Sequence, residues 1–512
     1  MVRSSAVRDV TTQRTRRRAF VIAAAALLTG AAARTARAEW PEHPAVAGRP
    51  LETVALRAKG ARKFRTVAWP QLSSTPLAPG TYELRLTFDA QRGDAVELPV
   101  CAGRVRVTLD GAPQLTSGGP VVLSCREGKN ELALEITVSP YEKRIACGFA
   151  PRVGPIAPSR EGLTLFAFES RHALLGGGRA AVFVPQGHTF DKPAPVLLGA
   201  HPWNGSMWTY AAYEELLRAA NEAGVVLLMP SGLGNSLYTA EAEDEVMTAL
   251  DALARAMPID PRRVSIWGAS MGGAGATTIG FHRPDRFASI TSFFGDARYD
   301  LKTYVGPILR DEAGARAVNA LDIADNVRHV PVWLIHGEDD RVSPIAQSEM
   351  LARALRQRGY RVRFDRVRGK GHEASLVVRF LPELVRLAEA ARTPEDVRRV
   401  TYRSVRPIDT GAYGVRFTRA GAEDAFVDIE RRADAVHVLK ATGVRRIALS
   451  RGAFGALGAE EATTIVIDDP SASIEAVWSG ATGGTTGGAT GGTTGGTTDG
   501  AMGGATPSIG LP

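Results

Sequence analysis

Hydrophobic and polar residues alternate with a period of two at Tyr82, Leu84, Leu86 and Phe88, again at Val105, Val107 and Leu109, and again at Leu132, Leu134, Ile136 and Val138. That period predicts strands with one buried face. Asp110-Gly111 predicts a hairpin turn after the second run. Short strands at this spacing predict a β-sandwich-like domain over 50–155, read as a structural or docking module. From about residue 160 the pattern changes. Apolar runs at 181–184, 196–199, 225–229, 264–267, 290–294, 332–335 and 362–367 alternate with helical stretches. In one of these Val246, Leu250, Leu253 and Met257 fall on a single helical face. Ser343-Pro344 predicts the start of another helix and Gly359 its end. Such alternation is that of an α/β domain, a sheet with helices on both faces, here over 160–395. Short alternating strands return at 412–417, 426–429 and 436–439, predicting a small β-rich domain over 398–477. Residues 480–512 repeat four-residue units of Gly and Thr, which cannot build a core and predict a flexible tail.

Composition changes this picture little. The chain of 512 residues is 44% hydrophobic and 23% charged, as a globular protein with a real core should be. Its net charge of +8 suggests an acidic partner, but eight Arg and one Asp fall in the first 38 residues and leave +1 for the rest. No nucleic-acid footprint remains. Those 38 residues read as an address: Arg14, Arg16, Arg17 and Arg18 form a basic region, 19–30 an apolar run, and Ala36-Arg37-Ala38 a cleavage signal. A signal peptide over 1–38 predicts export and a mature chain beginning at Glu39, with a retained signal anchor as the alternative. Arg17-Arg18-Ala19-Phe20 resembles the twin-arginine export motif, with Arg16 where a polar residue is favoured. No later stretch reaches the roughly 18 apolar residues of a spanning helix, so no integral membrane span is expected. Cys101, Cys125 and Cys147 allow one disulfide in an oxidising compartment, and spacing alone does not choose the pair.

The chemistry concentrates at Gly268-Ala269-Ser270-Met271-Gly272, directly after the apolar run 264–267 and directly before a small-residue helix running to His282. Flanking glycines let a strand turn sharply into a helix and push the serine hydroxyl out at the top of the sheet. Ser270 is therefore the candidate nucleophile. A serine needs a base held in the right tautomer by an acid. The run 332–335 leads into His336-Gly337-Glu338-Asp339-Asp340, and the run 362–367 into Arg368-Gly369-Lys370-Gly371-His372. His372 is the histidine that follows the acidic loop within the α/β domain, which makes it the candidate base.

These motifs, with Ile259-Asp260-Pro261-Arg262-Arg263 before the elbow strand, resemble an α/β-hydrolase of the esterase or prolyl-oligopeptidase type over 160–395. The resemblance implies that the acid stands four residues after the His of His-Gly, which is Asp340, with Asp339 the runner-up and Asp296 a remoter candidate. It also implies an oxyanion hole built from two backbone amides. One is that of Met271, after the nucleophile. The second comes from His201-Pro202-Trp203-Asn204-Gly205, where relatives carry His-Gly-aromatic; Pro202 has no N–H, so Trp203 is the candidate. Trp203 and Trp208 read equally as loop packing or as a wall of the substrate site.

No metal or cofactor is implied, since there is no His-Glu-x-x-His, phosphate loop or dinucleotide fingerprint, and Gly176-Gly177-Gly178 precedes a strand. The expected function is that of an exported serine hydrolase acting on small or polymeric carboxylic esters. The roughly 100 residues before the α/β domain cannot hold a peptide-filtering propeller, whose blades take roughly 40 residues each. A serine peptidase of the prolyl-oligopeptidase type is the alternative, and a surface-binding protein with a degenerate hydrolase domain is the remoter one. Cell-surface or polysaccharide contact through the β-domains is left open.

Overall fold

The computed structural model describes residues 40–116, 118–172, 177–432, 435–450 and 464–479. The signal peptide expected over 1–38 and the flexible tail expected over 480–512 lie outside them. Among the described residues three β-rich assemblies follow one another along the chain.

The first holds two sheets that share one core. In one, strand Gly80–Ala90 pairs antiparallel with Gly128–Val138 over its full length. The alternation read from the sequence puts Leu84, Leu86, Phe88, Leu132, Leu134 and Ile136 inside. They meet Val96, Leu98 and Val153 of the facing sheet, so the assembly is a sandwich. Each such side chain contributes on the order of 1.5–3 kcal/mol by leaving water. Asp110 and Gly111 both take positive φ, 50° and 78°, and turn Val105–Leu109 back onto Ala112–Gln114. A disulfide joins Cys101 to Cys147, and Cys125 carries the free thiol. It closes a loop with a sequence separation of 46, so Cys101→Ser is expected to cost about 2–4 kcal/mol. Urea denaturation of the variant beside the wild type checks this.

The second assembly is the α/β domain. Its sheet runs in the order Gly162–Glu169, Gly177–Val184, Val226–Pro230, Ala194–Ala200, Ile259–Ala269, Ser289–Phe293, Val332–Gly337, Val362–Val367. The first pairs are antiparallel; from Val226–Pro230 onward the strands are parallel. Both faces are buried. Val196 and Leu198 face one core with the helices Ala240–Ala256, Met271–His282 and Ala346–Gln357, while Leu197 faces another with Glu214–Ala223 and Ala374–Ala390. Near-continuous apolar runs are what two covered faces require. This is a sheet with helices on both faces, as the resemblance to an α/β-hydrolase implies.

One local expectation needs correction. The helix predicted to open at Ser343-Pro344 begins at Ala346, and its N-cap is Ile345. The Ser343 hydroxyl is drawn away by Asp296, at 2.6 Å, so tertiary contacts override the capping signal. Gly359, at φ 71°, ends the helix as expected.

The third assembly packs sheets of strands from Arg399–Ser404 to Glu475–Ser479 about Val427, Ile429, Val436, Val438 and Ile447. It meets the α/β domain through buried charge. Glu243 bonds His282 (2.8 Å) and Arg283 (3.0 Å) on its own domain and Arg406 across the contact, and Arg406 is paired in turn with Asp409. The Tyr402 hydroxyl donates to the carbonyl of His282, the last residue of the helix that starts at the elbow. No helix among the described residues is long and apolar enough to cross a membrane.

Candidate active site

Ser270 directly follows the central strand Ile259–Ala269 and caps the helix Met271–His282 with φ 57° and ψ −122°. That conformation is strained for a residue with a side chain, and such strain marks functional turns. The flanking glycines make it possible. A β-carbon at Gly268 would lie 2.3 Å from the Gly272 carbonyl oxygen, and one at Gly272 would lie 1.8 Å from that of Ala200. The helix behind is wholly buried, its small residues letting it press against the sheet. The Ser270 amide donates to Phe293 O at 2.9 Å. Tyr210 adds a brace the sequence did not reveal: its hydroxyl accepts from Ala269 N (2.9 Å) and donates to Ala200 O (2.8 Å).

The strands that end beside Ser270 bring the other candidates to it. His372 Nε2 lies 2.9 Å from Ser270 Oγ, and His372 Nδ1 lies 2.8 Å from Asp340 Oδ2. An ionised carboxylate only accepts, so the proton sits on Nδ1 and Nε2 is free to accept from the serine hydroxyl. The ring of Phe294, 4.4 Å away between centroids, covers the imidazole.

The three carboxylates of the acidic loop separate by burial. Glu338 and Asp339 are exposed, whereas Asp340 is buried. Asp340 Oδ1 accepts from the amides of Val342 (2.8 Å) and Ser343 (3.0 Å), leaving Oδ2 for His372. Burial by itself would raise the Asp340 pKa. Hydrogen bonds from His336 and His372, the charge of His372 and the Ser343 amide outweigh it and hold the carboxyl well below the usual carboxylate range. Asp296 also reaches this corner, but Ser343 holds it rather than His372, and burial pushes its pKa up.

Met271 is the first residue of the elbow helix, where an amide has no carbonyl of its own to meet. In the opposite loop Gly205 N donates to Pro202 O at 2.9 Å, closing a turn that passes through Asn204 at φ 58°. The Trp203 amide lies inside that turn and has no backbone partner among the described residues. The Trp203 ring meets Tyr304 edge-on at 5.0 Å. Trp208 turns the other way, buried against Gly119 of the N-terminal sandwich. The two tryptophans of one loop thus have different surroundings, which their spacing could not tell.

Residues 234–379 match the model of the prolyl oligopeptidase family, a stretch that contains Ser270, Asp340 and His372. Among solved structures, an S-formylglutathione hydrolase from Agrobacterium tumefaciens is similar at 21% identity, covering 45% of this chain and 95% of its own, with a TM-score of 0.40. An acylaminoacyl peptidase from Pyrococcus horikoshii is similar at 20% identity, over 44% of this chain and 41% of its own, with a TM-score of 0.36. A thermostable esterase is similar at 14% identity, over 62% of this chain and 97% of its own, with a TM-score of 0.38. None of the curated proteins matches the chain. The family match spans 234–379, less than a third of the chain, and supports a serine hydrolase of the esterase or prolyl-oligopeptidase type.

Proposed function

We propose that this chain is an exported enzyme that cleaves carboxylic esters through an acyl-enzyme on Ser270. The observation that carries the reading is the continuous chain of hydrogen bonds from Ser270 through His372 to Asp340. His372 takes the serine proton as Oγ attacks the ester carbonyl, and Asp340 steadies the imidazolium that results. The carbonyl oxygen becomes an oxyanion, which the amides of Met271 and Trp203 receive. His372 then gives the proton to the departing alcohol. In the second half a water attacks the acyl-enzyme by the same route and frees the acid.

Two features favour esters over peptides. The sequence between Ser289–Phe293 and Val332–Gly337 forms only short helical pieces, Gly306–Leu309, Glu312–Val318 and Ala320–Val327. The N-terminal domain is a sandwich rather than a ring of blades, so it is not a peptide-filtering propeller. The family match of 234–379 favours the second reading, a serine peptidase. Export by the twin-arginine route rests on the first 38 residues alone. The specificity constant for p-nitrophenyl butyrate is expected to exceed that for aminoacyl p-nitroanilides by at least about tenfold, roughly 1.4 kcal/mol of transition-state preference. A larger constant for the amide would reverse the assignment.

A further inference from the structure

Both loops that face Ser270 rest on the N-terminal sandwich. On one side the Trp208 indole lies so close to Gly119 that a β-carbon there would stand 2.6 Å from the ring. On the other side is the loop that carries His372. The helix that follows it, Ala374–Ala390, has no side-chain cap of its own, and its N-cap residue is Glu373, the neighbour of His372. A helix start without a cap leaves free amides and frays. Here the sandwich supplies what is missing. Ala374 N donates to Tyr141 O at 3.1 Å, and Lys143 Nζ donates to Glu373 Oε2 at 3.0 Å.

Glu373 also pairs with Lys370 (2.9 Å) and Ser375 (3.0 Å), and these bonds with that of Lys143 outweigh burial and hold its pKa near 2. Lys370 and Ser375, however, belong to the same loop and helix and move with them. Among the described residues, Lys143 and the Tyr141 carbonyl make the hydrogen bonds that tie this side of His372 to another domain; on its far side Asp339 N donates to Lys370 O at 2.9 Å. The connection that bears Tyr141 and Lys143 is itself firm. Lys143 O accepts from Leu77 N at 2.7 Å, and the buried Arg144 is gripped by Glu142 and Glu215, each at 2.8 Å.

We propose that the N-terminal β-sandwich is a working part of the active site, with Lys143 as a positioning residue that holds His372 through Glu373. The proposal rests on His372 being the base that activates Ser270. It adds that a domain read from sequence as a structural or docking module sets how well that base is placed. The charged groups around His372 are Asp340 on the acidic loop, Asp296 after Ser289–Phe293, Glu373 and Lys370 on its own loop, and Lys143 from the sandwich. Without Lys143 this surround is more negative, which favours the imidazolium. The acid limb of activity therefore moves to higher pH.

The test is the rate at which a fluorophosphonate labels Ser270 in the full chain, followed across the neutral pH range. Labelling needs the serine and its base but no particular substrate, so it does not depend on the choice between ester and peptide. Lys143→Met is expected to slow labelling about fivefold and to move the acid limb up by about 0.3 pH unit, with Lys143→Arg restoring both. Lys59→Met, which breaks an ion pair with Glu135 on the same domain, should change neither. Gly119→Ala, which displaces the Trp208 ring, should slow labelling without moving the limb. If Lys143→Met labels at the wild-type rate with the wild-type pH profile, the clamp is refuted while the catalytic reading stands. If wild-type Ser270 does not label at all, the catalytic reading fails and the clamp with it.

Discussion

Asp340→Asn is expected to lower kcat by about 10⁴-fold while leaving the fold intact. The asparagine amide can occupy the same space, but it cannot both accept from His372 Nδ1 and carry the charge that steadies the imidazolium. The Val342 and Ser343 amides that now point at Oδ1 favour the amide oxygen there, which turns the NH₂ group toward His372 and forces the wrong tautomer. Asp339→Asn should cost far less, because Asp339 is exposed and its backbone, not its carboxylate, ties it to Lys370. Asp296→Asn should likewise be mild, its carboxylate being held by Ser343. Steady-state kinetics on the three purified variants decides the matter. A collapse of kcat in Asp339→Asn or Asp296→Asn, with Asp340→Asn near wild type, would move the acid elsewhere.

The second large effect concerns stability. Arg406→Leu should destabilise the protein by about 3–5 kcal/mol, because it leaves the buried Asp409 without its paired guanidinium and Glu243 with only His282 and Arg283 to oppose its burial. Glu243 is 1% exposed and stays ionised there only because its partners oppose burial. Burial alone would raise its pKa; the charges and hydrogen bonds of His282 and Arg406 hold it well below the usual 4.5. A depressed carboxylate pKa adds stability that is fully present above the unfolded value and is lost as pH falls through the folded one. The wild type should therefore lose part of its stability below about pH 4.5, and Arg406→Leu should lose less over that range. Urea titrations at neutral and acidic pH measure both. Equal midpoints for variant and wild type at neutral pH would mean that the network contributes little.

Much of this was legible in the sequence because the signals are local. The elbow is a strand, a Gly-x-Ser-x-Gly turn and a helix in unbroken succession, and the glycines at 268 and 272 are required by contacts their neighbours make. The apolar runs at 332–335 and 362–367 located the loops bearing Asp340 and His372, since parallel strands deliver their following loops to one edge of the sheet. What stayed hidden depends on distant pairing. Three cysteines look alike until the sandwich brings 101 beside 147. Ser343 carries a capping signal, yet Asp296, 47 residues away, claims its hydroxyl. Lys143 and Glu373 stand 230 residues apart, and nothing near either forecasts their contact. Tyr210 likewise reads as one more apolar position until its hydroxyl is seen joining the elbow to the neighbouring strand.

The central claim is that Ser270 becomes acylated during turnover. The most direct measurement is to quench the enzyme with acid while it hydrolyses p-nitrophenyl acetate and to map the acetyl group by peptide mass. The account predicts an acetyl group on Ser270, absent in Ser270→Ala together with the turnover. Sustained turnover in Ser270→Ala, or an acetyl group confined to another residue, would contradict it.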